Sequence, residues 1–308
     1  MDKFLEGKVA LVTGGGRGIG RAEAIAMAEA GASIVVNDNG SDIEGEGSSP
    51  DPADEVVREI IARGGKAVAN YDSVIDYAGA GRMVQQAIDA FGRLDILINN
   101  AGIVGADWLD DHTPDEWDKV IGVHLTGTYN TCRHAVPHMK EQNYGRIINT
   151  ISNSWNYPTG IIGYAAAKGG VVTFTWALAY ELRPFNITVN AMAPFGYTRV
   201  HDKGMGRTYQ KVRDGIVSEK RVSMTTRDED PMDSTPALLF LLSPEGDEVN
   251  GVLMRNGGGK VSRFSHPEEV SVVWRDNRKD GPWTVDELRK ILPGTLFANG
   301  KRAAFLDR

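Results

Sequence analysis

At 308 residues, with 41% apolar and 24% charged side chains, the chain has the makeup of a globular protein and enough apolar surface for a sizeable core. A formal net charge of −7 excludes a broadly basic face for nucleic acid, so no nucleic-acid partner is expected. A single cysteine, Cys132, excludes an internal disulfide framework and fits a reducing compartment.

The opening stretch, MDKFLEGKVALVTGGG, has no apolar segment followed by a small-residue cleavage site, and no later run reaches the length of a membrane span. The expectation is a cytoplasmic protein without a membrane partner. KVALVT (8–13) is a short apolar run that predicts a strand, and a Gly-rich turn and the helical RAEAIAMAEAGA follow. SIVVND (33–38) predicts a second strand. NGSDIEGEGSSPDPAD (39–54), rich in Gly, Ser, Pro and acids, reads as a surface loop. DEVVREIIARGG has helical period, KAVAN is a strand, GRMVQQAIDAFG is a helix with a Gly stop, and LDILINN is a strand. One long helix is predicted over roughly 114–140, then the strand GRIINTIS, a helix over 163–183 and the strand NITVNAMAP. Residues 195–232 lack strong periodicity, which in a compact domain marks a functional lid or a mobile segment, and the helix STPALLFLLS comes after them.

Strands separated by helical segments imply a parallel sheet with right-handed crossovers. Strands such as ILIN are apolar without alternation, which suits a sheet covered on both faces. The predicted fold is therefore α/β, a Rossmann-type doubly wound parallel sheet. It forms a single domain, residues 1–259, with a C-terminal extension, residues 260–308, of unknown role. In that extension, Thr284 followed by Glu287 reads as the capping box of a short helix. The extension is expected to pack across a subunit interface or over a neighbour's pocket.

The first chemical motif is TGGGRGIG (13–20), with Gly14, Arg17, Gly18, Ile19 and Gly20 as cofactor contacts. A Gly-rich octet alone can be a flexible turn. Here it follows a buried strand and opens a helix, a context in which the backbone approaches a pyrophosphate and the helix N-terminus faces its charge. Asp38, at the end of the second strand, can accept hydrogen bonds from ribose hydroxyls and repel a 2′-phosphate, which favours NAD over NADP. It can equally be a turn residue before Asn-Gly. Asp72 and Ser73 end the third strand where an adenine contact would fall, and turn capping is the alternative.

In GYAAAKGG (163–170), Tyr164 and Lys168 lie four apart and share one helix face. Moving a phenol from its ordinary pKa near 10 toward 7 takes about 4 kcal/mol of preferential phenolate stabilisation. A neighbouring ammonium contributes to that, and an oxidised nicotinamide ring would add to it, so the pair can form a general acid/base. The alternative is an ordinary surface Tyr and Lys on an Ala-rich helix. His134 and His138 also lie four apart, but no third ligand stands at a persuasive spacing, and no metal is expected.

TGGGRGIG, NNAG (99–102), a Ser at the strand end and YAAAK, in this order, resemble the short-chain dehydrogenase/reductase family over about residues 5–259. The resemblance implies an NAD-dependent oxidoreductase interconverting a secondary alcohol and a ketone. It implies that Tyr164 transfers the proton, that Lys168 lowers its pKa and holds the nicotinamide ribose, and that Ser152 binds the substrate oxygen, with Ser154 as the alternative. Asn99, Asn100, Ala101 and Gly102 would brace the sheet beside the cofactor. Where the family usually has Asn on the long helix, this chain has His124, in His124-Leu125-Thr126-Gly127. That His can bond a water and relay protons to Lys168, changing charge near neutral pH, or it can be a core-facing ring bonded to a carbonyl. The usual Pro-Gly after strand six is Pro194-Phe195-Gly196 here, with Thr198 near the family's pyrophosphate/nicotinamide contact. The family's long helix commonly builds a subunit interface, so a homodimer or homotetramer is implied.

One branch is most similar. SIVVNDNG, the polar insertion after it, GGKAVANYDSV, AFGRLDILINNAGI and VHLTG resemble the (3R)-hydroxyacyl-CoA dehydrogenase domain of the peroxisomal multifunctional enzyme and its free-standing bacterial relatives. The substrate class that follows is a 3-hydroxyacyl thioester. A steroid, a terpenoid or another small cyclic alcohol is the alternative, and a non-catalytic NAD-sensing protein on the same fold is a further one. The segment SWNYPTGII departs from that branch, and the chain ends in LDR without a Ser-Lys-Leu address. Arg199, Lys203, Arg207 and Lys211 can meet CoA phosphates or belong to a solvated lid. Trp155, Tyr157, Phe195 and Tyr197 can form an aromatic wall or core.

Overall fold

The computed structural model describes residues 3–104, 109–110, 112–156, 161–199, 210, 212–215, 229–257 and 259–298. It divides into two compact units, Met1–Phe264 and Ser265–Arg308.

The first unit alternates strands and helices: β1 (Val9–Thr13), α1 (Gly18–Glu29), β2 (Ser33–Asn37), α2 (Asp51–Ala62), β3 (Lys66–Asn70), α3 (Tyr77–Phe91) and β4 (Ile96–Asn99). After these come α4 (Pro114–Ile121), α5 (Gly127–Gln142), β5 (Gly145–Thr150), α6 (Ile162–Leu182), β6 (Ile187–Pro194), α7 (Thr235–Leu242), β7 (Leu253–Gly257) and β8 (Lys260–Arg263). The sheet order is β3-β2-β1-β4-β5-β6-β7-β8. Its pairs are parallel except β7 with β8, which is antiparallel. This is the doubly wound α/β sheet that the strand–helix alternation predicts.

Successive strand residues point to opposite faces, and the chain fills both. Ala10, Val12, Ile96 and Ile98 enter one core with Ile25, Met27 and Leu238, while Val9, Leu11 and Leu97 enter the other with Met83, Met139 and Leu182. The absence of alternation in the sequence is the direct result. Within the second core a buried amide ladder crosses the sheet. Thr131 Oγ1 donates to Asn99 Oδ1 (2.6 Å), Asn99 Nδ2 to Asn149 Oδ1 (2.9 Å) and Asn149 Nδ2 to Thr175 Oγ1 (3.0 Å). The ladder ties α5, β4, β5 and α6 at one depth, so the helix ends near the site are held in register.

Two elements differ from the sequence reading. The single helix expected over 114–140 is broken. The Thr113–Glu116 capping box starts α4, and Gly122–Thr126 forms a π-helical turn before α5 begins. A π turn inserts a residue without changing the apolar period enough to show, and such turns gather at functional sites. The strands β7 and β8, LMRNG and KVSR, were not expected: they are short and mixed in polarity, and β8 forms the sheet's edge. Among the described residues no helix is long and apolar enough to cross a membrane.

In the second unit the expected capping box is present. Thr284 Oγ1 accepts from the Glu287 amide, and the Glu287 carboxylate accepts from the Thr284 amide. Arg275 pairs with Glu287 at 2.6 Å and lies 4.3 Å over the Trp283 ring. The Arg275 hydrogen bond, aided by Thr284, holds the Glu287 carboxyl down at about 2.

α1 carries an anomaly. Glu23 is 1% exposed, and among the described residues its Oε2 has no hydrogen-bond partner. Burial pushes its carboxyl up to about 8. The unfolded chain releases this proton near 4.5 and the folded chain near 8. As pH rises through that window the folded state keeps a proton the unfolded state has lost, and stability falls. Glu23→Gln will therefore be more stable than the parent above pH 8, by on the order of 2 kcal/mol or more. The gap will close as pH drops toward 4.5; urea unfolding across pH checks it.

Candidate active site

The Gly-rich turn is held by backbone contact that side chains would block. Gly14 has φ +62°, and a Cβ there would lie 2.9 Å from Ala101 Cα. Gly20 abuts the Gly14 carbonyl and the Asn100 amide so closely that any Cβ would overlap both. Thr13 fixes this junction: its Oγ1 accepts from the Asn100 and Ala101 amides, both at 3.1 Å, and donates to the Ile98 carbonyl. Asn100 Nδ2 donates back to the Thr13 and Gly14 carbonyls (3.1 and 3.0 Å). Thus NNAG and the Gly-rich turn are one unit, built where β1 and β4 part, the crevice in which open α/β sheets bind ligands. The first turn of α1, which includes Ile19, opens onto this turn with its N-terminal amides unpaired by side chains.

The second half of the site hangs from β5 and α6. Lys168 is 3% exposed, and its Nζ donates to the Thr150 carbonyl (2.6 Å) at the end of β5. Its Nζ lies 5.6 Å from the centroid of the Tyr164 ring one turn earlier. Ser152, two residues past β5, hydrogen-bonds Tyr164 and also meets Ser154 Oγ (3.1 Å) and accepts from the Ser154 amide. Ser152 therefore faces the phenol, while Ser154, 8% exposed, stands behind it as its brace. Desolvation lowers the Lys168 ammonium to about 7. Desolvation also raises the half-buried Tyr164 phenol, and the Ser152 bond pulls it the other way. In the protein by itself, then, burial outweighs the Ser152 hydrogen bond at the phenol and lowers the ammonium, so both groups are held nearer neutral than the spacing alone implies.

His124 sits in the π turn, 3% exposed, with its ring 5.0 Å from and perpendicular to that of Tyr164. Its Nε2 is 2.9 Å from the Ile103 carbonyl and 3.1 Å from the Ile103 amide, and its Nδ1 has no partner. Burial, then the charge of Lys168, lowers it to about 3. Of the two sequence readings, the core-facing ring bonded to a carbonyl matches this geometry, and burial favours the neutral imidazole there. Gly102 is required beneath it, since a Cβ would lie 2.6 Å from His124 Cε1.

Asp38 lies just past β2. Its Oδ2 accepts from the Gly16 amide (3.0 Å) and its Oδ1 from the Gly40 amide (2.8 Å), so the carboxylate is fixed beside the Gly-rich turn. Asp72 is engaged elsewhere, with Arg82 on one oxygen and Asn70 on the other, and Ser73 Oγ accepts from the Ile75 amide. β6 ends at Pro194. Gly196 packs against Pro231, where a Cβ would lie 2.7 Å from Pro231 Cα, and the Thr198 side chain comes to 3.0 Å from the Cβ position of Gly18. Thr198 is thus delivered to the Gly-rich turn despite the inserted Phe195. Arg17 is drawn aside, its Nη1 donating to the Ser41 carbonyl (3.0 Å).

Trp155 joins a core stack with Trp176 and Phe264 rather than a free wall. Tyr157, Lys203, Arg207 and Lys211 lie outside the described residues. His134 is engaged by Tyr77, through its carbonyl (2.9 Å) and its ring. Asn99 braces the sheet as the sequence reading expects, but Thr13 and the ladder's partners Asn149, Thr131 and Thr175 were not read from the sequence. For Thr13 and Asn149 the only local mark is a polar residue at the inner end of an apolar strand.

The short chain dehydrogenase family model matches residues 8–203. Peroxisomal multifunctional enzyme type 2 of Mus musculus is 38% identical over 285 residues, 92% of this chain but only 36% of that protein, so the chain spans about a third of its length. The (2S)-[(R)-hydroxy(phenyl)methyl]succinyl-CoA dehydrogenase subunit BbsD of Thauera aromatica is 36% identical over 257 residues, 83% of this chain and 97% of that one. The crystal structure of a short chain dehydrogenase from Mycobacterium avium superposes with a TM-score of 0.79 at 33% identity, covering 98% of each chain.

The buried ammonium leaves a signature in stability. Unfolded, Lys168 keeps its proton to 10.5; folded, it releases it near 7. Between these values the unfolded state binds more protons, so this residue's contribution makes stability rise with pH. The stability of the parent relative to Lys168→Met will climb from about pH 7.5 to 9.5 by up to roughly 1.4 kcal/mol per unit. Denaturant titrations of both proteins read it directly, and parallel profiles would contradict the burial argument.

Proposed function

The chain belongs to the short-chain dehydrogenase family, and from that premise we propose that it is an NAD-dependent oxidoreductase interconverting a secondary alcohol and a ketone, with a 3-hydroxyacyl thioester as its substrate class. One observation carries the reading. A phenol, a hydroxyl hydrogen-bonded to it and a buried ammonium meet at the end of β5, on the crevice beside the Gly-rich turn.

The residues present fit a nicotinamide dinucleotide. Gly14 and Gly20 let the Gly-rich turn pack against Asn100 and Ala101, with no side chain at these glycines to hold a dinucleotide's pyrophosphate away, and Thr198 reaches Gly18. The bound dinucleotide supplies the hydride acceptor or donor. Asp38, already fixed by two amides, presents acceptor capacity to ribose hydroxyls and repels a 2′-phosphate, which favours NAD.

The chain's own chemistry is proton transfer. Ser152 Oγ and Tyr164 Oη converge on the substrate oxygen. In the oxidative direction Tyr164 Oη accepts the alcohol proton; in the reductive direction it returns a proton to the carbonyl oxygen. Lys168 Nζ lies 5.6 Å from the Tyr164 ring centroid, and in its charged form it favours the phenolate over the phenol. His124 supports the Tyr164 ring and hydrogen-bonds the Ile103 backbone.

The substrate class rests on likeness to proteins named as a peroxisomal multifunctional enzyme and as a CoA-thioester dehydrogenase. A steroid, terpenoid or small cyclic alcohol is the competing class. We place the enzyme in a reducing compartment, the cytoplasm, on the strength of a sequence with a single cysteine and so no internal disulfide, and as a homodimer or homotetramer by analogy with the family.

The test is NADH absorbance with NAD or NADP and a panel of 3-hydroxyacyl-CoA esters, steroid alcohols and cyclic alcohols. A 3-hydroxyacyl-CoA will turn over, and NAD will be preferred. Tyr164→Phe will lose roughly a thousandfold or more in kcat while still binding NADH. Ser152→Ala will lose more than Ser154→Ala. Tight NADH binding without turnover on any class would instead favour a sensor.

A further inference from the structure

The polar insertion after β2 is a built feature. Its neck closes at Gly40, φ +74°, which abuts Ser49 too closely for any Cβ, and the Ser49 amide donates to the Asn39 carbonyl (3.1 Å). Its tip is knotted by Asp42. The Asp42 Oδ1 accepts from the Glu44 and Glu46 amides (2.8 and 2.9 Å), and the Asp42 amide donates to the Glu46 carbonyl (2.8 Å). A compact loop with adjoining ends and its own internal bonds is an Ω-loop, a form often tied to function.

This loop is fastened at points far apart in the sequence. Arg17, in the Gly-rich turn, and Arg199, after β6, both donate to the Ser41 carbonyl (3.0 and 3.2 Å). The Val104 amide, beyond β4, donates to the Ile43 carbonyl (2.8 Å). Lys119 of α4 reaches the Glu44 carbonyl (3.4 Å) and pairs with the Glu46 carboxylate. Gly45 rests on Ile103 and Lys119. In the sheet β1 lies between β2 and β4. A loop that leaves β2, touches the turn after β1 and bonds the backbone after β4 therefore runs across the mouth of the crevice where β1 and β4 part.

We propose that residues 40–49 are a strap closed over the cofactor crevice, whose release gates entry and exit of the dinucleotide. This rests on the cofactor reading above. Its clasp is weak where it meets solvent: the Lys119 and Glu46 side chains are 35% and 68% exposed. An ion pair of that kind shifts an equilibrium by up to about fivefold. The other fasteners are carbonyl contacts that no single substitution of the strap removes. A gate differs from a contact in kinetics. Losing a contact speeds release alone, whereas losing a gate speeds entry and release together and leaves Kd nearly unchanged.

Stopped-flow NADH fluorescence tests this on the full chain. Lys119→Met will raise both association and dissociation rates about twofold to fivefold. Replacing residues 41–47 by Gly-Gly will raise both by about tenfold or more, with thermal melting confirming the fold. Unchanged rates in both variants, with NADH still bound, would overturn the strap and leave the cofactor reading standing. Faster release without faster entry would also overturn it, since the loop would then be a contact. Failure of the parent to bind NADH would overturn the cofactor reading, and the gate with it.

Discussion

The site depends on one buried ammonium. Lys168 is almost wholly out of water, and its ammonium donates to the Thr150 carbonyl. Desolvation brings it down to about 7, close to the point at which charge is readily gained or lost. A lysine left in water would stay charged and be screened, and would do little to a phenol one turn away. Here each ionisation bears on the other: a phenolate at Tyr164 favours the ammonium, and the ammonium favours the phenolate. The burial that raises the phenol in the protein alone is also what lowers the local dielectric and makes the coupling strong.

Holding that lysine in place is the work of the sheet. Its acceptor is the last carbonyl of β5, and β5 is fixed to β4 and α6 by the ladder from Thr131 through Asn99 and Asn149 to Thr175. Thr13 pins the segment after β4 to the Gly-rich turn. The two halves of the crevice thus share one rigid floor, which is what a reaction between a bound dinucleotide and a positioned alcohol requires. His124 completes the arrangement as a neutral ring wedged between Gly102 and Tyr164 rather than as a titrating group.

Much of this was legible in the sequence because it is local. The glycines of 13–20 follow a strand and open a helix, Tyr164 and Lys168 share a helix face, and the strand–helix alternation dictates a parallel sheet. What was not legible is long-range or environmental. Thr13 looks like any strand-end threonine until NNAG is seen against it. The π turn at Gly122–Thr126 leaves the apolar period nearly intact. The neutrality of His124 follows from its burial, which composition does not reveal. The insertion after β2 has the makeup of a solvated loop, and only its fasteners to Arg17, Val104 and Lys119 show that it spans the crevice. The strands β7 and β8 are short and mix polar with apolar residues, so neither makes the apolar run that marks a strand.

The most direct test of the acid/base pair is the ionisation of the phenol itself. In protein carrying tyrosine labelled with carbon-13 at Cζ, with Tyr164→Phe assigning the resonance, the chemical shift can be followed through pH with NAD bound. The account predicts that Tyr164 titrates well below the ordinary tyrosine value near 10, and that Lys168→Met moves it back up. A resonance that titrates at or above 10 in the NAD complex, or one indifferent to Lys168, would contradict it.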